Sequence, residues 1–170
     1  IALREGRLIA VGSSAEVLAL RDRSTRLIDC RGTVILPGFI DAHLHVRAYA
    51  GTFLGIDCRP QTVRSLTQLQ DILRRHSQHL APGQWVVGYG YDEFGLTEKR
   101  HPTRWDLDVA TPNHPVRLAH RSRHAWVVNS LGLAKLGITR GFMAPAGGWV
   151  ERDATSGEPT GLLIDMDDHL

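Results

Sequence analysis

The sequence predicts an α/β fold, and three observations carry that expectation. Apolar runs of strand length alternate with stretches of helical period along the chain. Pro and Gly signals separate these runs at short intervals. A chain of 170 residues with 42% hydrophobic and 22% charged content is long and apolar enough to bury one core.

Alternating apolar positions around Glu5-Gly6 predict two short antiparallel strands, because a tight hairpin turn needs positive φ and Gly adopts it freely. Ser13 or Ser14 can cap a short helix running to Leu20, the hydroxyl accepting from an otherwise unpaired N–H. Arg26-Leu27-Ile28-Asp29, the Arg31-Gly32 turn and Thr33-Val34-Ile35-Leu36 complete a small β module that Pro37-Gly38 ends. Residues 1–36 are therefore read as part of one small domain and residues 37–170 as the start of a second.

In the second domain Phe39 to Val46 reads as a strand with His43 and His45 on one face and Leu44 and Val46 on the other. Leu66, Leu69, Ile72, Leu73 and Leu80 form one helical stripe between Ser65 and the Pro82-Gly83 stop. Trp85 to Tyr91 is a strand, Pro102 to Asp108 a short helix or turn, and Pro115 to His120 a buried strand. Asn129 or Ser130 caps a helix from Leu131 to Leu136, ended by Gly137, and residues 147–161 form a hairpin with a Ser156-Gly157 turn. Gly161 to Asp165 reads as an apolar strand, and the order of elements favours a layer of parallel strands. The chain opens on Ile1 in what reads as a hairpin already under way and follows Asp165 with no closing element, so a piece of a longer protein is expected.

With 20 Lys+Arg against 18 Asp+Glu, scattered along the chain, the sequence carries no basic footprint for nucleic acid or an anionic membrane. No apolar run approaches the roughly 20 residues that span a bilayer. Cys30 and Cys58 form neither a Cys-x-x-Cys pair nor a disulfide framework, so both are expected as buried thiols in a reducing, cytoplasmic setting.

The His43-Leu44-His45 triplet is where chemistry concentrates. On a strand the two imidazoles point the same way, with origins about 6–7 Å apart, and can converge on one divalent ion. Such an ion takes neutral imidazole at about 2.0–2.1 Å and, in a catalytic site, leaves a position for a water whose pKa can fall to about 7. Two ordinary strand histidines would give the same short motif. The Pro-Gly stop and Asp41 on the same face favour the metal, since a carboxylate beside two imidazoles is costly to bury without a cation or a proton.

Leu36-Pro37-Gly38-Phe39-Ile40-Asp41-Ala42-His43-Leu44-His45 resembles the first-strand signature of the amidohydrolase superfamily. Tyr89 to Glu93, Pro102 to Asp108, His124 to Ser130 and Gly157 to Leu163 are similar to its YtcJ-like branch, so the resemblance covers nearly the whole chain. It implies the first part of a metal-dependent (β/α)₈ barrel with a small flanking β-sandwich, incomplete over these 170 residues because such a barrel takes about 250. It also implies hydrolysis of a non-peptide C–N bond in an amide, formamide or related small molecule, with deamination of a heterocycle open to the same scaffold.

The resemblance assigns His43 and His45 as ligands of a divalent metal, zinc, bound as one or two ions. A further ligand falls on Asp165, where the family carries a longer Glu or a carboxylated Lys. His124, Asp92 and Glu93 are candidates to meet the substrate, and Asp41 to orient a ligand through a hydrogen bond. The general-base aspartate is expected beyond this sequence, and a homodimer is what the family implies. His169 does not replace the ligands expected downstream, and His76, His79, His101, His114 and His120 lack ligand spacing and are read as structural. Two other readings stay open: a noncatalytic fragment or half-site, and a binding module on the same scaffold.

Overall fold

The computed structural model describes residues 1–44 and 46–170, and all their side chains except those of Arg47 and Ala48. His45 lies outside the described residues. Contacts group the chain into Ile1–Ala42 and His43–Leu170.

In the first unit β1 (Ala2–Arg4) and β2 (Arg7–Ala10) pair antiparallel across Glu5 and Gly6, both at positive φ, as the hairpin turn requires. Helix α1 (Ser14–Leu18) is capped by Ser13, whose hydroxyl accepts from the Glu16 N–H while Glu16 reaches back to the Ser13 N–H. Arg31 and Gly32 form the expected turn, with the Thr33 N–H on the Cys30 carbonyl at 2.9 Å. Among the described residues from 33 to 44 no strand follows it. Residues 33–36 and 39–44 are irregular, which corrects the strands expected there, including the one carrying His43. An extended segment becomes a strand only where a neighbour takes its N–H and C=O groups, and among the described residues no ladder includes this stretch. Phe39 and Ile40, 91% and 93% exposed, accordingly bury no apolar face.

The second unit is built on a six-stranded sheet in the order β3-β4-β5-β6-β8-β7. Helix α2 (Val46–Thr52) leads into β3 (Ile56–Asp57), then α3 (Leu66–Ser77), β4 (Val86–Tyr91), α4 (Arg104–Asp108) and β5 (Val116–His120). There follow β6 (Ala125–Val128), α5 (Ser130–Lys135), β7 (Trp149–Arg152) and β8 (Pro159–Ile164). β3, β4 and β5 are parallel, as expected of a strand-helix-strand chain, but β6, β8 and β7 join antiparallel. The turn at residues 121–124 is too short for a crossover, so β6 must return beside β5. The result is a mixed α/β fold with an unclosed sheet, consistent with an incomplete (β/α)₈ barrel, and a separate two-stranded sheet.

Alternation along the strands divides the core between two faces. Val127 and Leu162 pack with Leu66, Leu69 and Leu73 of α3 and Leu107 of α4, whereas their neighbours Val128 and Leu163 pack with Leu133 of α5, Ile138 and Met166. The three α3 leucines are 0–6% exposed, each burial contributing about 1.5–3 kcal/mol. Ser65 caps α3 by accepting from the Gln68 N–H at 3.2 Å, and Arg74, Arg75 and His76 suit the negative end of the helix dipole.

Two acid pairs make stability depend on pH. The Arg59 guanidinium holds the Asp57 carboxyl down to about 2. Burial acts to raise Asp106, but hydrogen bonds from Arg100 and Thr103 outweigh it and keep that carboxyl below its ordinary value. A folded-state pKa below the unfolded one stabilises above the unfolded value and loses that effect as pH falls through the folded one. The urea midpoint is therefore expected to fall between pH 4 and pH 2, the interval from the ordinary Asp value of 3.8 down to that of Asp57. Arg59→Gln should flatten that dependence in the pH 2–4 interval; an unchanged midpoint-versus-pH curve would refute the assignment.

Candidate metal centre

β4 and β5 run parallel with Tyr91 opposite His120, so both strands deliver side chains to the same edge of the sheet. The register shifts between Tyr89 and Tyr91, where Gly90 takes φ 82° in a bulge. A Cβ there would lie 2.6 Å from Cγ of Arg59, so the bulge needs glycine. The chain then turns on Asp92, whose Oδ1 accepts from the Phe94 N–H at 3.1 Å and whose carbonyl accepts from the Gly95 N–H at 2.9 Å.

Asp92, Glu93 and His120 meet at that edge, each offering a ligand atom within 4.8 Å of the others. Glu93 Oε2 lies 2.8 Å from His120 Nε2, both side chains being mostly buried. The two pair directly when the ring is protonated, and no other group among the described residues hydrogen-bonds either atom. Ligand atoms held by one ion at about 2.0–2.2 Å lie no more than about 4.4 Å apart, so an ion placed beside this pair, not between its atoms, reaches both. Ser122 places its hydroxyl 2.7 Å and its N–H 3.2 Å from His120 Nδ1. With Nδ1 accepting from the Ser122 N–H, the proton of the neutral His120 ring lies on Nε2, facing Glu93 Oε2. Burial holds the His120 ring below its ordinary pKa against the pull of Glu93.

A second layer backs the cluster. Burial, then the charges of Glu93 and Glu151, push the Tyr91 phenol well above its ordinary pKa. Its hydroxyl lies 3.0 Å from His101 Nδ1, and His101 Nε2 faces Glu93 Oε1 at 3.7 Å. The rings of Tyr91, His101 and His120 meet edge to face with centroids 5.2–5.9 Å apart. On the far side Asp92 Oδ2 receives Arg121 Nε at 3.1 Å. A cleft of about 620 Å³ opens beside Asp92 and His120, bounded also by Tyr49, Arg59, Tyr89 and Arg121.

His124 and Asp165 meet at the same edge, where β6 begins and β8 ends. The Asp165 N–H donates to the His124 carbonyl at 2.8 Å, and His124 Nδ1 lies 2.8 Å from Asp165 Oδ1. Asp165 sits at φ 50° with its side chain half exposed. His43 occupies a bend ahead of α2 and is exposed, as is Asp41. Of the residues singled out in the sequence, Asp92 and Glu93 are brought together, His124 and Asp165 form a separate pair, and His120 is the member that sequence reasoning missed. Its signal was available, since in sheets of this kind functional side chains gather where adjacent parallel strands end, and His120 is the last residue of β5 as Tyr91 is of β4.

The amidohydrolase family profile matches residues 26–170. The chain belongs to the amidohydrolase family. This amidohydrolase chain is 37% identical over 160 residues to the N-substituted formamide deformylase of Arthrobacter pascens, covering 94% of itself and 29% of that protein. It is 37% identical over 144 residues to the putative amidohydrolase YtcJ of Bacillus subtilis, covering 83% of itself and 26% of that protein. The chain thus spans under a third of the length of these relatives. An uncharacterized metal-dependent hydrolase from Pyrococcus furiosus superposes with TM-score 0.51 at 27% identity, over 78% of this chain and 24% of that one. One from Pyrococcus horikoshii OT3, at 23% identity and TM-score 0.52, covers 98% of this chain and 30% of its own and shares the fold.

Proposed function

We propose that this chain supplies part of the metal centre of a hydrolase that cleaves a non-peptide C–N bond in an amide, formamide or related small molecule. The observation that carries the reading is the half-buried Asp92–Glu93–His120 cluster at the strand ends of an amidohydrolase chain. A divalent ion, zinc in the first instance, supplies a polarised carbonyl and an activated water. Asp92, Glu93 and His120 have the donor set to hold such an ion, with Ser122 and Arg121 fixing their orientation. His43 and His45 hold an ion by the family resemblance, and Asp165 has Oδ2 left for one while His124 engages Oδ1. His124, Asp92 and Glu93 bound the space where the amide would lie, and Asp41 orients a ligand. Residues 1–36 belong to the flanking β-sandwich and residues 37–170 to the barrel. The two free cysteines fit a reducing, cytoplasmic setting. No described helix is long and apolar enough to cross a membrane.

A second reading follows from the span of under a third of the relatives' length: the 170 residues hold part of a ligand set that residues elsewhere complete, and act as a half-site.

Elemental analysis by mass spectrometry of the purified chain and of a His43→Ala/His45→Ala variant, followed by assays on N-substituted formamides, tests both readings. Near-stoichiometric metal lost in the variant, with turnover in the parent, supports the hydrolase. Metal without turnover supports the half-site. A chain that takes up no divalent metal under any loading condition would overturn the reading.

A further inference from the structure

The cleft beside the metal cluster has a charge pattern that ion binding alone does not explain. Three arginines, Arg59, Arg121 and Arg123, are among the described residues that line it. Arg59 is tethered to Asp57 by a fork, Nε to Oδ1 at 2.9 Å and Nη2 to Oδ2 at 2.7 Å. Arg121 is tethered to Asp92. Arg123, held in the β5–β6 turn at φ 64° by its N–H on the His120 carbonyl at 3.0 Å, has no ion pair for its guanidinium among the described residues. Among the described residues of the lining the two aspartates are each matched by an arginine, and Arg123 is the one without an acidic partner, beside an opening of about 620 Å³.

The facing wall is aromatic. Tyr49 and Phe53 meet edge to face with centroids 5.1 Å apart. Tyr89 lies across Gly51 and Gly55, where a Cβ would come within 3.3 Å of its hydroxyl and 2.3 Å of its ring. These two glycines let the ring lie flat against the chain as part of the cleft wall. A flat apolar group thus has rings to pack against, and an anion has a guanidinium whose planar donor fork matches a carboxylate.

We propose that the cleft takes amides that also carry a carboxylate, with Arg123 receiving the carboxylate and Tyr49, Phe53 and Tyr89 an attached aryl group. That the bound amide is cleaved rests on the hydrolase reading above; the preference for an anion rests on the cleft.

N-acetylphenylalanine and N-acetyl-2-phenylethylamine differ by the carboxylate, and calorimetric titration of each into the chain, with and without zinc, measures the preference. The carboxylate-bearing amide should bind about tenfold or more tightly. Arg123→Gln should erase the difference and Arg123→Lys restore part of it, with unchanged circular dichroism showing that the fold is intact. Equal affinities in the parent, a preference that survives Arg123→Gln, or no binding of either amide would overturn the proposal. A preference that depends on Arg123 without hydrolysis of either amide would leave the cleft assignment standing and count against the hydrolase. Hydrolysis of both with no preference would do the reverse.

Discussion

Asn129→Ala is expected to remove about 3–5 kcal/mol of folding stability, lowering the urea midpoint by about 2 M. Asn129 is fully buried at the junction of three elements. Its Oδ1 accepts from the Val116 N–H at 2.8 Å and the Gly132 N–H at 2.9 Å, and its Nδ2 donates to the His114 carbonyl at 2.9 Å. One side chain thus starts β5, caps α5 and ties the loop before β5 to the end of β6. Truncation leaves two buried donors and one acceptor without partners, at about 1–3 kcal/mol each, with some relief from relaxation. Ser65→Ala, which removes a cap at an exposed helix start, provides the contrast and should cost only about 0.5–2 kcal/mol. If the two variants unfolded at the same urea concentration, the bridging role of Asn129 would be wrong.

The second large effect concerns the ion. In the Glu93→Gln and His120→Ala proteins, affinity for zinc is expected to fall by more than the roughly 10–100-fold that loss of an outer partner costs a metal site. Ser122→Ala, which removes the hydroxyl 2.7 Å from His120 Nδ1 but no ligand atom, should fall within that range. Competition titrations against a chromogenic chelator measure all three. Undiminished affinity in Glu93→Gln and His120→Ala, beside a loss in His43→Ala/His45→Ala, would place the ion on the paired histidines and leave the half-buried cluster as a hydrogen-bonding structure.

Much of the second unit was legible because its signals are local. The Leu66, Leu69 and Leu73 spacing, the Ser65 cap, the Asn129 cap before Gly137 and the hairpin of β7 and β8 each involve residues close in sequence, whose periodicity or turn chemistry acts before any distant contact forms. β6 was not assigned from the sequence, since its four residues draw their stability from β5 and β8 on either side. The stretch at residues 39–44 shows the converse. Its apolar alternation reads as a strand, yet among the described residues no ladder includes it, and propensity without a neighbour does not hold an extended chain.

The sequence by itself determined the family, through the Leu36 to His45 signature and the segments from Tyr89 onward, and with it the reaction class that the proposal adopts. It also marked Asp92, Glu93, His124 and Asp165 as chemistry-bearing. Only the tertiary structure decided which of them meet. Glu93 and His120 are 27 residues apart in the chain, and their 2.8 Å approach exists because two parallel strands end in register at one edge of the sheet. Spacing along a chain reports partners within one turn or one strand, whereas side chains brought together by strand pairing are set by the register of a whole sheet, which no local pattern encodes.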